Sequence, residues 1–259
     1  MEIQEIDSEN LSHYEKLFAI CFPQFNLDKE YLDWLYFSNP LGKVVGFDAM
    51  DGDILVAHYA CIPTRIDAKI GLLALNTATH PSYRSRGIYK QIALQTFDQW
   101  SSDFKFVVGV ANKLAAKACV RHLGFAEIGR LNLRFGDLQR PTKGIRTWTP
   151  AEIEWRAGNP RQRMKKRAIS DGFIELSVRP KNFPFNLTSI IPIQEMGFVG
   201  TEQSMPKKYG FTVDWIKDYQ PRVQLPEKLK PSPLVMIYQT LSGPETELNS
   251  WSFPDFDAF

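Results

Sequence analysis

The sequence predicts an α/β (α+β) protein built on a twisted, mixed but mainly antiparallel sheet with flanking helices. Three observations carry that expectation. An apolar strand over residues 70–78 runs into His80-Pro81 and an arginine-rich turn, and a helix follows from about Ile88 to Trp100. Ahead of that strand the pattern reads strand, two helices, then two further strands in antiparallel sequence. Asp51-Gly52, set between apolar runs, marks a hairpin because such a pair readily adopts the left-handed backbone of two-residue turns.

Each element has its own warrant. Residues 2–6 alternate enough for a first strand. Ser8 and Asn10-Leu11 start a helix reaching roughly Cys21, with Leu11, Tyr14, Leu17 and Phe18 along one face, and Pro23 stops it. A second helix over 28–37 carries Tyr31, Leu32, Trp34 and Leu35 and ends before Asn39-Pro40. Strands over 46–50 and 54–62 flank the hairpin, with Pro63 expected to close the second. Asp67-Ala68-Lys69 turns the chain into the long strand, which Pro81 closes because it has no N–H for a ladder. Beyond the next helix, 106–110 is a buried strand, 114–122 a helix and 128–135 a single strand.

The turn after Pro81 holds the first functional signal. Gly87 relaxes the backbone where it needs a positive φ or close approach to another group. The helix start behind it leaves free N–H groups and a positive dipole end, which together suit a phosphate. Arg84 and Arg86 place two permanent charges at the same mouth. The run Arg84, Ser85, Arg86, Gly87, Ile88, Tyr89 reads as a diphosphate cradle, or, more plainly, as a surface turn with two solvated arginines. A nucleotide-hydrolysing loop would need a Lys-Ser/Thr pair after several glycines, and a dinucleotide fold three glycines; neither is present.

This run resembles motif A of the GNAT superfamily of N-acetyltransferases, whose loop reads Arg/Gln-x-x-Gly-x-Gly/Ala; Tyr89 stands where the family usually keeps a small residue. Asn112, Ala115 and Leu123-Gly124-Phe125 resemble motif B, so the likeness covers residues 1–135. The apolar tail adds a resemblance to members linked to bacterial surface-polysaccharide or amino-sugar modification. The resemblance implies acetyl-CoA as co-substrate, held by Ala78, Thr79, Arg84, Ser85, Arg86, Gly87, Ile88, Tyr89 and Asn112. It implies that the strands before His80 and before Asn112 splay to admit the pantetheine arm. It also implies direct transfer of the acetyl group to a primary amine of a small molecule, such as an amino sugar or nucleotide-linked amino sugar. Amides near Ala78 and Thr79 would orient or polarise the thioester carbonyl.

The proton-transfer groups stay open. His80 at the strand end and His58 on the neighbouring strand are candidate bases, and Asn76 could bind acceptor or water on His80's strand face. Many family members keep a tyrosine that protonates the leaving thiolate. Counting forward from Asn112 lands on Cys119 and back from Gly124 on Val120. Either Tyr89 supplies the hydroxyl, or the thiolate leaves unassisted, or the chain is a non-catalytic acyl-CoA-binding or protein-interaction domain.

The first domain is expected over 1–138 and a smaller α/β domain over 150–259, joined by a linker at 142–149. Glu154-Trp155…Asn159-Pro160 echoes Asp33-Trp34…Asn39-Pro40, and the turn Asp171-Gly172 echoes Asp51-Gly52. This faint repeat reads either as a degenerate GNAT-like second copy or as coincidence. Strands are expected over 173–178, 189–193, 197–200 and 234–238, a helix over 212–219, and a packed strand or cap over 251–259. With no second Arg-x-x-Gly run, this half should hold no coenzyme of its own and instead wall the acceptor pocket.

Composition bounds the rest. Apolar residues at 44% and charged residues at 23% describe a globular chain, and a net charge of +2 gives no polyanion signal. The run Arg161–Arg167 is therefore read as a solvated face, a partner contact or a contact to a phosphate-bearing acceptor, and no nucleic-acid partner is expected. The scattered cysteines and histidines lack metal spacing, so no metal is expected. No apolar run reaches membrane-span length and the N-terminus lacks a leader pattern, so a cytoplasmic protein is expected, with monomer and homodimer both open.

Overall fold

Two sheets share the strands of this chain in the computed structural model, which describes residues 1–141, 143–170, 172–180, 183–193, 206–219 and 234–256. The first sheet has the order β1 (Glu2–Glu5), β2 (Val45–Asp51), β3 (Ile54–Ile66), β4 (Lys69–Thr79), β5 (Phe106–Asn112), β12 (Leu234–Thr240), β6 (Ala126–Arg130). All neighbours are antiparallel except β4 and β5. Helices α1 (Leu11–Cys21) and α2 (Lys29–Phe37) pack Tyr14, Leu17, Phe18, Leu32 and Leu35 on one face. Helices α3 (Ile88–Trp100) and α4 (Lys113–Leu123) pack Ile92, Ala93, Phe97, Ala116 and Leu123 on the other. Strand alternation feeds both cores, since Phe106 and Val108 face the first and Val107 the second. Asp28 starts α2 by accepting a 2.9 Å hydrogen bond from the Tyr31 N–H.

The second sheet contains β7 (Asn132–Asp137), β8 (Lys165–Ser170), β9 (Phe173–Val178), β10 (Leu187–Pro192), β11 (Tyr209–Ile216) and β13 (Ser250–Ser252). Its β8–β9–β10 run is antiparallel and β10 meets β11 in parallel at Leu187 and Phe211. One edge of β11 carries β7 along Tyr209–Asp214, and β13 joins at Asp214–Ile216. Helix α5 (Pro150–Ala157) begins at a capping box between Thr149 and Glu152. Trp34 on α2 and Trp155 on α5 stack with centroids 5.0 Å apart, and each indole N–H donates to the other's carbonyl at 3.1 Å.

Several expectations are corrected. Pro63 does not end its strand: β3 continues to Ile66, with Pro63 opposite Leu72. Its carbonyl accepts from Asn39 Nδ2 at 3.0 Å, so the side of Pro63 that lacks an N–H faces away from β4 and no ladder bond is lost. Residues 128–135 form two strands in two sheets, β6 and β7, joined at Leu131. Ile128 and Leu131 are three apart, which breaks the period of two at the crossing. Residues 212–216 are strand, not helix, as the β-branched and aromatic Thr212, Val213, Trp215 and Ile216 favour. The expected linker packs inside: Ile145, Arg146 and Trp148 are buried, and Ile145 and Trp148 bridge to Ser250 and Ile193. Strands also cross the expected boundary, because β7 joins the second sheet and β12 the first. The expected strand at 197–200, Asp171 of the second turn, Thr142 and residues 257–259 lie outside the described residues.

The tail is held by buried charge. Arg140 donates to Ser250 Oγ (2.8 Å), Ser252 Oγ (2.7 Å) and Asp255 Oδ2 (3.0 Å). Trp148 Nε1 donates to Asp255 Oδ1 at 3.2 Å, Arg146 to the Asp255 carbonyl at 3.1 Å and Arg156 to the Pro254 carbonyl at 2.8 Å. The Asp255 carboxylate pairs with Arg140 and accepts from Trp148, while Arg146 and Arg156 hold the backbone around it. Removing one partner of a buried pair strands the other, so Asp255→Asn should cost about 3–5 kcal/mol. Glu154→Gln, which breaks an exposed pair with Lys166, should cost under about 1 kcal/mol. Urea unfolding of the two variants makes the comparison; equal midpoints would deny the clasp a role in stability.

Candidate functional site

The site starts where β4 leaves β5. The two strands pair only from Leu72–Val107 to Ala74–Gly109, whereas β5 stays paired with β12 from Phe106 to Asn112. The departure coincides with a bulge in β4: Asn76 has φ of 49°, and the register against β3 shifts between His58 and Ala60. Beyond Ala74 the β5-facing backbone of β4 has no strand partner, and the gap opens into a cleft of about 640 Å³. The expected splay is present.

At the outer end of β4 the chain turns through Ser85 (φ 62°) and Gly87 (φ 77°) into α3. A Cβ at Gly87 would meet nothing within 4 Å, so backbone conformation, not crowding, calls for glycine there. No side chain caps α3, which leaves its first-turn N–H groups facing the turn. Arg84 Nε donates to the Thr79 carbonyl at 3.2 Å and Arg86 donates to the Ser82 carbonyl at 2.9 Å, which tethers both exposed guanidinium groups beside the turn. Ala78, Thr79, Arg84, Ser85, Arg86, Gly87, Ile88, Tyr89 and Asn112 all line the cleft. Asn112 spends its Oδ1 capping α4, accepting from the N–H groups of Leu114 (3.0 Å) and Ala115 (2.9 Å).

The three catalytic candidates separate. Asn76 lines the cleft; His80 and His58 do not. The ring of His80 is turned onto the 3-10 turn after it, with Nδ1 accepting from the Ser82 N–H at 3.3 Å. His58 is fully buried beneath Tyr14, Phe18 and Tyr36. Its Nδ1 lies 2.6 Å from Asp48 Oδ1 and its Nε2 2.9 Å from the Tyr36 hydroxyl. Tyr14 donates to the other Asp48 oxygen at 2.8 Å, and Asn76 Nδ2 donates to the Tyr36 hydroxyl at 3.3 Å. Strand alternation alone could not place His58 relative to the two helices above it, and those helices seal it off. Among the described residues, no carboxylate or imidazole lines the cleft; its titratable side chains are tyrosine, cysteine and arginine.

Tyr89 does not cover the cradle. Its ring turns inward between α3 and α4, with the hydroxyl 3.1 Å from Cys119 Sγ. Burial pushes the Tyr89 phenol and the Cys119 thiol up, so both hold their protons at neutral pH. The sequence reading missed Tyr31, Phe25 and Phe256 as cleft residues, and did not single out Arg161 from its basic run. The apolar tail that carries Phe256 was the available signal for the last.

No protein-family model matches the chain, and no curated protein does either. Solved structures do. A protein of unknown function from Enterococcus faecalis V583, described as a probable N-acyltransferase, matches 93% of this chain and 72% of its own, at 10% identity and a TM-score of 0.56. The GNAT-family N-acetyltransferase YhbS from Escherichia coli, solved with CoA, matches 48% of this chain and 68% of its own, at 15% identity and 0.40. The ribosomal-protein-S18-alanine N-acetyltransferase from Escherichia coli matches 49% and 77%, at 16% and 0.40. Identities this low speak to the fold alone, and the chain shares the fold of the Enterococcus protein.

Cys61 lies opposite Ala74, the last β4 residue paired with β5, and burial raises its thiol to about 12. The unfolded chain loses that proton near pH 9 while the folded chain keeps it, so stability falls as pH rises from about 9 to 12, by up to ~4 kcal/mol from this group. Unfolding followed across that range should give a shallower pH slope for Cys61→Ala than for the native chain; parallel slopes would refute the assignment.

Proposed function

We propose that this chain is an acyl-CoA-dependent N-acyltransferase that moves an acetyl group from acetyl-CoA directly to a primary amine of a small molecule. The observation that carries the reading is the parted β4–β5 pair ending in the left-handed Ser85–Gly87 turn at the start of α3. The open N–H groups of α3 with Arg84 and Arg86 suit a diphosphate, and the unpaired β4 backbone suits the amides of a pantetheine arm. Bound there, acetyl-CoA would supply an activated thioester. The backbone N–H groups at Ala78 and Thr79 would polarise its carbonyl. Asn76, fixed through Tyr36 and the buried His58–Asp48 pair, would hold the acceptor or a water that takes the amine's proton. Tyr89, reaching from α3 to Cys119, would hold a proton for the departing sulfur. The new C–N bond forms as the C–S bond breaks, the amine loses one proton and the thiolate gains one. Amino sugars, free or nucleotide-linked, are the first acceptors to assay.

A second reading is favoured by one observation: the cleft has no carboxylate or imidazole lining among the described residues. On that reading the chain binds acyl-CoA without turnover. Both readings predict binding, and only the first predicts release of free thiol when an amine is supplied.

Residues beyond about 150 are read as a degenerate copy of the first unit, with an acceptor-side role, supplying Arg161 and Phe256 to the cleft. Three features support the copy. Strands β8–β9–β10 are antiparallel and β10–β11 parallel, the same directions as β2–β3–β4 and β4–β5. Asn39 and Asn159 each accept from the N–H two residues on, at 3.0 and 2.9 Å. The Trp34 and Trp155 indoles exchange hydrogen bonds reciprocally. In this unit Ser252 of β13 sits against Ser189 of β10 (Oγ–Oγ 2.9 Å), so the chain's own tail occupies the space beside the parallel pair.

Calorimetry with acetyl-CoA should detect one site per chain, lost in a folded Gly87→Asp variant that places charge and bulk in the turn; binding unaffected by that change would remove the cradle from the site. Tyr89→Phe should keep cofactor affinity and lower kcat about 100-fold, while Cys119→Ala retains most turnover. The reverse pattern would make Cys119 the working group and reject direct transfer.

A further inference from the structure

Resting on the acyltransferase reading above, we infer that the acceptor end of the cleft is an anion-recognition site built on Arg161, and that the acceptor is an amine carrying a carboxylate or a phosphate. The ends of the cleft are assigned by the faces of the sheet. Ile88 at the start of α3 belongs to the core on the α3–α4 face. Leu27, Tyr31, Phe22 and Phe256 belong to the core on the opposite face, which α1, α2 and the second sheet cover. All of these residues line the one cleft, so it passes from one face to the other through the gap between β4 and β5. A cofactor seated at α3 leaves the α1–α2 side for the acceptor.

Arg161 is the cation on that side. Its guanidinium lies over the Tyr31 ring, 4.8 Å from the centroid, and it is half-buried. Its backbone is fixed, because its N–H donates to Oδ1 of the buried Asn159 at 2.9 Å. The rest of the basic run turns away: Arg163, Lys165, Lys166 and Arg167 are exposed, and Lys166 pairs with Glu154. Three buried arginines have carboxylates, Arg134 with Asp214, Arg140 with Asp255 and Arg146 with Glu152, and the buried Arg156 donates to the Pro254 carbonyl. Among the described residues Arg161 makes no ion pair, and no carboxylate lines the cleft. Asp28, which attracts it, spends its own oxygens on the Tyr31 N–H and on Asn26. Burial without a partner disfavours the charge on Arg161, and the same desolvation strengthens whatever anion meets its planar donors. The apolar and aromatic walls beside it would take the body of the acceptor.

Matched amines test this: phenylalanine against phenylalaninamide for the carboxylate, and glucosamine 6-phosphate against glucosamine for the phosphate. Each is titrated with the native protein, R161Q and R161K, with and without coenzyme A, and thiol release from acetyl-CoA is followed in parallel. The native protein should prefer the anionic member of at least one pair by about tenfold or more in affinity and in kcat/KM. The pair that responds identifies the anion. R161Q should bring that member down to the level of its neutral twin and R161K should recover part of the difference, with coenzyme A binding in each variant reporting an intact fold. No preference in the native protein, no binding of any of the four amines, or a preference that survives in R161Q would each overturn the inference. Failure to bind acetyl-CoA would instead overturn the acyltransferase reading, and the titrations without coenzyme A would still decide whether Arg161 selects anions.

Discussion

The parting of β4 from β5 is the constraint on which the rest of this molecule depends. A parallel pair held by three registered positions leaves its outer backbone bare, and bare backbone polar groups are tolerated only where solvent or a ligand can reach them. Everything nearby serves to hold that gap open. The Asn76 bulge steers β4 away, β12 keeps β5 straight by pairing along its full length, and the Asp48–His58–Tyr36 chain pins the bulge from behind. The same histidine that reads from the sequence as a candidate base thus has a mechanical part in the geometry of the cleft.

The two parallel pairs of the chain meet opposite fates. The β4–β5 gap is left free, whereas beside β10 and β11 lies β13, fastened by Arg140, Arg146 and Arg156 onto Ser252, Pro254 and Asp255. Buried charge is a costly fastening unless its partners are complete. Here most of the donors end on a carboxylate, a hydroxyl or a carbonyl, and the reward is position: the clasp delivers Phe256 to the far wall of the cleft.

Much of the first half was legible because its signals are local. Asp28 before an amphipathic run, Asp51-Gly52 between strands, Pro81 after an apolar run and Gly87 before a helix each fix their own neighbourhood, and α2, β2, β4, α3, β5 and α4 fall within a residue or two of expectation. The cleft-lining loop was legible for the same reason. What failed was non-local. Pro63 looks like a stop until Asn39 is known to take its carbonyl, and His58 looks available until α1 and α2 cover it. Residues 212–216 look helical until β7 is set beside them. Arg161 is one basic residue among five until the fold turns it alone towards Tyr31.

The exchange of strands between the sheets carries a consequence for how the chain comes to be folded. β12 separates β5 from β6, yet it is synthesised roughly a hundred residues after them. While the ribosome is still translating the middle of the chain, β5 offers an unsatisfied edge and the first sheet has a missing rung. Pairings this distant in sequence are slow to form, and exposed edges invite wrong partners in the meantime. The two halves therefore mature together, as a late cooperative closure, and the cleft takes its final shape only when β12 and the segment carrying Phe256 have been added.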